Sequence, residues 1–189
     1  MLFALKSILC NRAISLKRRL TLFNATVSSG VLWCTESWAL RATDKQHLRV
    51  AQNRMLRKIV DVRRNGTESW VEWVIRSTRT SRQIVEKAGI KCWVSVHAEN
   101  KWRWAGHVAR TSADELVWKV SAWRDEKWQQ LQIQSSRPLR ARPGRWTRWE
   151  DAVRHFAGCH WKSQASDRET WKTHNVHFAP FLLPGSRNV

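Results

Sequence analysis

Apolar residues return along this chain at helical spacing, and glycines at 30, 66, 89 and 106 punctuate them. In the first segment Leu16, Leu20, Phe23 and Val27 recur at i, i+4, i+7 and i+11, one face of a helix, and the arginines and Lys17 fall on other faces. The stretch TDKQHLRVAQNRMLRKIVDV, 43–62, is the best specified. Thr43 and Gln46 have the spacing of a capping box. Leu48, Ala51, Met55, Ile59 and Val62 form a stripe, and Arg49, Arg54, Arg57 and Lys58 fall largely outside it. Residues 68–77 and 81–88 read as two short helices, the second stopped by Gly89. Helical spacing resumes over 92–110, and Ser112 with Glu115 repeats the capping spacing before Leu116, Val120 and Trp123.

The pattern changes after Glu126. Residues 127–149 hold no acid and six cations, and SSRPLRARPGRW within them reads as a loop or extended arm. Helical spacing returns through Trp146, Trp149, Val153 and Phe156, and Ser166 with Glu169 predicts one more short helix. The expected fold is all-α: a small bundle of about six to seven helices with a basic Pro/Arg arm and a short C-terminal helical segment. The expected division is a helical region over 1–126, an arm over 127–145, a small helical segment over 146–172 and a loose tail over 173–189.

Charge narrows the function. Thirty-four Lys and Arg against 15 Asp and Glu give a net charge of +19 over 189 residues. Self-repulsion on that scale works against a compact state unless a polyanion shares the surface, and nucleic acid is the usual partner of such a domain. A membrane surface fits less well, because the cations run from Lys6 to Arg187 rather than along one amphipathic helix. No apolar run approaches the ~20 residues needed to span a bilayer. The first 35 residues contain no acid and resemble a mitochondrial presequence, but they read better as the start of the first helix. Cys10, Cys34, Cys92 and Cys159 lie far apart, which suits reduced thiols in an intracellular protein, nuclear or cytoplasmic, better than a disulfide framework.

Catalytic chemistry has little to build on. Of the acid pairs Asp114-Glu115, Asp125-Glu126 and Glu150-Asp151, only the last holds interest as a metal-binding pair, and neighbours on a helix point about 100° apart. A nuclease using Glu150 and Asp151 is therefore the lesser alternative. Of Cys159, His160, His174 and His177, only His174 and His177 have the spacing of zinc ligands. The residues point to no metal, no cofactor, no small-molecule substrate and no catalytic centre.

Four segments, in order, resemble a known family. RLTLFNATVSSGVLWCTESWAL (19–40), RVAQNRMLRKIVDV (49–62), WRWAGHVAR (102–110) and RPGRWTRWEDAVRHF (142–156) with DRETW (167–171) are similar to the region that follows the catalytic core in non-LTR, LINE-type retrotransposon reverse transcriptases. The chain departs from the family at Trp33-Cys34, where Tyr-Gly is usual, at Ala141-Arg142-Pro143, where Gly-Arg-Pro is usual, and at Glu150-Asp151, where a pair of Asp is usual. The palm motif Tyr-x-Asp-Asp is absent, since the chain has no tyrosine. The resemblance implies a thumb and post-thumb fragment, catalytically silent alone, that contacts template–primer or element RNA; a relic of a decayed element is the other reading.

Phosphate grip by scattered cations suits an A-form duplex, which is read through phosphates and 2′-hydroxyls. The candidate contacts are Arg54, Arg57 and Lys58 on the second helix, Lys101 and Arg103 on the central one, and Arg137, Arg140, Arg142, Arg145 and Arg148 on the arm. On the central helix Trp104 and Val108 are expected to face inward, Gly106 to admit a neighbouring helix, and Lys101, Arg103 and Arg110 to face water. His107 reads as a structural histidine. Trp102 stands between packing and stacking on a base.

Overall fold

A computed structural model describes residues 5–122 and 148–182. It is all-α, with no strand among those residues. The helices are α1 (Lys6–Leu9), α2 (Leu16–Phe23), α3 (Ser29–Val31), α4 (Ala42–Val60), α5 (Trp70–Lys87), α6 (Trp93–Arg110), α7 (Leu116–Ala122), α8 (Asp151–Ala157), α9 (Trp161–Gln164) and α10 (Arg168–Phe181). A π-helical stretch, Asn24–Ser28, joins α2 to α3. None of these helices is long and apolar enough to cross a membrane.

The chain packs as two units, one of residues 5–35 and 42–97, the other of 36–41, 98–122 and 148–182. The division between these units falls within α6, between His97 and Ala98; the expected boundary near Glu126 lies outside the described residues.

In the first unit Leu9, Leu20, Phe23, Val27, Leu56, Ile59, Val85, Ile90 and Trp93 form the core. The predicted face of the first helix is the one that packs. Arg19 lies on that side too: its Nη1 donates to the carbonyls of Leu9 (3.3 Å) and Ile59 (2.6 Å), its Nε to Ile14 O (3.0 Å). A buried cation is tolerated because those carbonyls replace its water. On α4 the buried line is Gln52, Leu56 and Ile59, with Leu48, Ala51 and Met55 at its margin. The apolar stripe read from sequence is rotated from this line because Gln52, a polar residue, occupies a core position. Its amide joins α4 to the start of α6: Nε2 donates to Lys91 O (3.0 Å), and Oε1 accepts from Trp93 N (2.9 Å). Helix α4 starts at Ala42, so Thr43 lies within it rather than capping it, and it stops at Asp61, whose φ is +56°.

Residues 70–87 form one helix, not two. Ser69 and Glu72 make a complete capping box, a start signal that a boundary at 68 passes over. No breaker lies between 77 and 81. Gly89, at φ +74°, ends α5 in a Schellman motif: its N–H donates to Glu86 O (2.9 Å) and the Ile90 N–H to Val85 O (3.1 Å).

The second unit is built on indoles. Trp102 and Trp171 lie face to face with ring centroids 3.8 Å apart, and each Nε1–H donates to the other's carbonyl, at 2.7 and 3.0 Å. Gly106 admits this pair, since a Cβ there would sit 2.7 Å from Trp171 Cδ1 and Nε1. Ala98, Ala105, Val153, Trp161, Ala165, Phe178 and Leu182 complete the core. Helix α10 is capped by Asp167, which accepts from the amides of Glu169 (3.1 Å) and Thr170 (3.4 Å), not by Ser166. It runs to Phe181, through residues assigned from sequence to a loose tail; Phe178 and Leu182 anchor it in the core. The Ser112–Glu115 capping box does not form. Helix α7 begins at Leu116, and Ser112 Oγ accepts only from Asp114 N, at 3.5 Å.

Candidate nucleic-acid interface

The α4–α5 pair brings cations together. The two helices run antiparallel, as two cross-helix bonds show: Arg57 Nη1 donates to Thr78 Oγ1 (2.8 Å), and Arg82 Nε to Asn53 Oδ1 (3.4 Å). Asn53 and Arg57 lie one turn apart on α4, Thr78 and Arg82 one turn apart on α5, so both pairs share a single seam. Arg54 and Lys58 are exposed beside it on α4, and Arg79 is exposed beside it on α5. Two of the nearby acids are committed to other arginines, and Glu86, one turn after Arg82 on α5, is exposed. Asp61 is ion-paired with Arg12. Glu68 takes Arg76 in a two-bonded fork, Nε to Oε1 at 2.7 Å and Nη2 to Oε2 at 2.8 Å. That hydrogen bonding, foremost, holds the Glu68 carboxyl below its usual range and raises Arg76. Glu72 is likewise lowered by its bonds to Ser69.

The sequence-based candidates divide accordingly. Arg54 and Lys58 share one exposed face, and Arg57, half-buried, lies beside them in the seam. Arg79 and Arg82 escape a reading of α5 as two short helices; in one helix, their i, i+3 spacing places them on one side.

Lys101 is a correction. It is 2% exposed, and its ammonium donates to the carbonyls of Glu36 (3.0 Å), Trp38 (2.7 Å) and Trp149 (2.9 Å). It is a structural clamp, unable to reach phosphate. Trp102, 1% exposed and stacked on Trp171, offers no face to a base. The inward face of α6 is Ala98, Lys101, Trp102, Ala105 and Val108, and Trp104 is only half-buried. His107 is exposed, its ring centroid 5.2 Å from that of Trp104, not buried in the structure. Arg103 is exposed and donates to Asn100 Oδ1. Arg110 is exposed too, though its Nη1 donates to Ala165 O at 2.6 Å.

On the arm, Arg137, Arg140, Arg142 and Arg145 lie outside the described residues. Arg148 is within them but structurally engaged: it ion-pairs with the buried Glu150 at 3.8 Å and donates through Nη2 to Ser121 O at 3.3 Å.

Glu150 also pairs with Arg154 at 3.4 Å, and Asp151 accepts from the Arg148 amide at 2.6 Å. These carboxylates serve the start of α8. Among the described residues no three His, Cys, Asp or Glu side chains are grouped to hold a metal ion.

Compared with known proteins, the chain matches no family model, no curated protein and no solved structure.

Proposed function

We propose that this chain is a nucleic-acid-binding module that grips phosphates through the outer surface of the α4–α5 pair, and that it descends from the region following the catalytic core of a LINE-type reverse transcriptase. The observation that carries the binding reading is the grouping of Arg54, Arg57, Lys58, Arg79 and Arg82 on two antiparallel helices, with two of the nearby acids, Asp61 and Glu68, held by other arginines. Cations on helix faces suit a ligand read through its backbone, because phosphate contacts position a nucleic acid without reading its sequence. The net charge of +19 calls for such a polyanion. Descent is supported by the order of the four sequence motifs and agrees with an all-helical fold. Polymerisation belongs to the palm of such enzymes and is not ascribed to these residues.

The test is replacement of Arg54, Lys58 and Arg79 by alanine together. All three side chains are exposed, and none makes a hydrogen bond or ion pair with a described residue, so the fold should survive. Binding to a labelled RNA hairpin should weaken. The slope of log K against log salt should flatten by roughly two to three units, about one for each phosphate that no longer meets a cation. An unchanged slope would place the phosphate grip elsewhere and overturn the assignment.

A further inference from the structure

Trp102, which the sequence left between packing and base stacking, is buried in the second core and packs. In the first unit two indoles stand well out in water, Trp33 at 77% exposure and Trp70 at 63%. Neither donates a hydrogen bond or meets another ring among the described residues. Their settings differ. The stretch from Gly30 to Trp38 around Trp33 contains Glu36 and no cation. Trp70 opens α5 directly after the loop 61–69, which carries Arg63 and Arg64, both exposed.

That loop is folded back onto the first turns of α5. Trp73 Nε1 donates to Val62 O (2.9 Å), Arg76 Nη2 to Arg63 O (2.9 Å), Arg64 Nε to Glu68 O (2.8 Å), and the Asn65 N–H to Glu68 Oε2 (3.3 Å). Arg64 is thus tethered by one of its five donors, and the rest of the guanidinium is left to an outside acceptor. Trp70 lies two residues, at most about 7 Å of backbone, beyond the carbonyl that Arg64 holds. The three acids of this tip are used internally, Asp61 by Arg12, Glu68 by Arg76 and Glu72 by the capping box. An exposed, unengaged indole beside two arginines on an ordered loop has what an unpaired nucleotide requires: a flat apolar face for the base and cations for its phosphates.

We infer that the tip of the α4–α5 hairpin is a binding site for an unpaired nucleotide, with Trp70 stacking on the base and Arg63 and Arg64 taking the flanking phosphates. This rests on the nucleic-acid reading above and sharpens it. The face of α4 and α5 holds the backbone of any strand, and the tip favours a single-stranded end, bulge or loop over a continuous duplex. Bases inside a duplex are already stacked and give Trp70 nothing to cover.

The experiment compares the full chain with Trp70→Ala, Trp70→Phe and Trp33→Ala, each titrated against a labelled unpaired RNA of about twelve nucleotides and against the same sequence as a blunt duplex. Trp70→Ala should weaken binding of the unpaired RNA roughly 5- to 150-fold, the range for loss of one base–aromatic stack. It should leave duplex binding unchanged. Phenylalanine should restore most of the loss, and Trp33→Ala should match the wild type. Equal effects of Trp70→Ala on both ligands, or no effect on either, would overturn the stacking site while leaving the phosphate grip in place. A phenylalanine variant no better than alanine would overturn it too. A wild-type chain that binds neither RNA would fail at the earlier step and remove both.

Discussion

Lys101 and Trp102 adjoin on α6; side-chain chemistry alone points the wrong way for Lys101 and leaves Trp102 open between packing and stacking. A lysine in a basic chain reads as a surface cation, because its ammonium almost never goes into a core unpaired. Here three carbonyls, from Glu36, Trp38 and Trp149, converge on it, and they come from residues far away in sequence. No periodicity records such a convergence. Trp102 meets its partner 69 positions later, at Trp171, in a stack with reciprocal bonds. Gly106 is legible because glycine at a helix crossing has a local cause: any side chain there would strike the Trp171 indole. The clamp has a testable consequence. Lys101→Met strips a charged donor from three carbonyls and should cost about 1–3 kcal/mol in denaturant unfolding. It should leave the salt slope of RNA binding at its wild-type value, since Lys101 is buried. A reduced slope without destabilisation would return Lys101 to the phosphate contacts.

Among the elements, the α4–α5 hairpin shows what period and composition carry. The existence of α4 is plain from its spacing, but its buried line runs through Gln52, which apolar counting passes over. Helix α5 divides in two on a sequence reading because ESWVEWVIRS (68–77) and SRQIVEKA (81–88) each look self-contained. The capping box at Ser69 and the Schellman end at Gly89 are local signals that bound one continuous helix. Its unity decides the site, since it sets Arg79 and Arg82 on one face beside Arg57. The turn between the two helices is governed by Glu68. Its carboxyl sits below the ordinary value of 4.5, chiefly through the hydrogen bond from Arg76. A carboxyl lowered by folding adds stability above its unfolded value, and that support is lost as pH falls through the folded value. Hydrogen exchange over residues 62–69 should therefore be slow near neutral pH and quicken, relative to the rest of α5, as the pH falls below the ordinary carboxyl value of 4.5 and through the lowered folded one. In Glu68→Gln the same amides should exchange faster near neutrality and show no such acid step. An acid step that persists in Glu68→Gln would assign it to another group.

For the whole molecule, the all-helical class is legible in the sequence, and the partition is not. Packing divides α6 between His97 and Ala98, so that one helix serves two cores, and the basic arm lies outside the described residues. A helix shared in this way has one unbroken period and gives no sign of where its allegiance changes. The charge is legible in amount but not in placement: among the described cations, Lys101 is buried, Arg148 is ion-paired with Glu150, and Arg19 lies within the first core. What is left for a ligand in the first unit is concentrated on α4, α5 and their connecting loop. The central claim is that this surface holds nucleic acid through its phosphates. It is tested most directly by the affinity of the intact chain for a labelled RNA hairpin, measured by anisotropy across a series of salt concentrations. The grouped cations Arg54, Arg57, Lys58, Arg79 and Arg82 predict saturable binding whose log K falls linearly with log salt, at a slope of about −4. No saturable binding at low salt, or an affinity indifferent to salt, would contradict it.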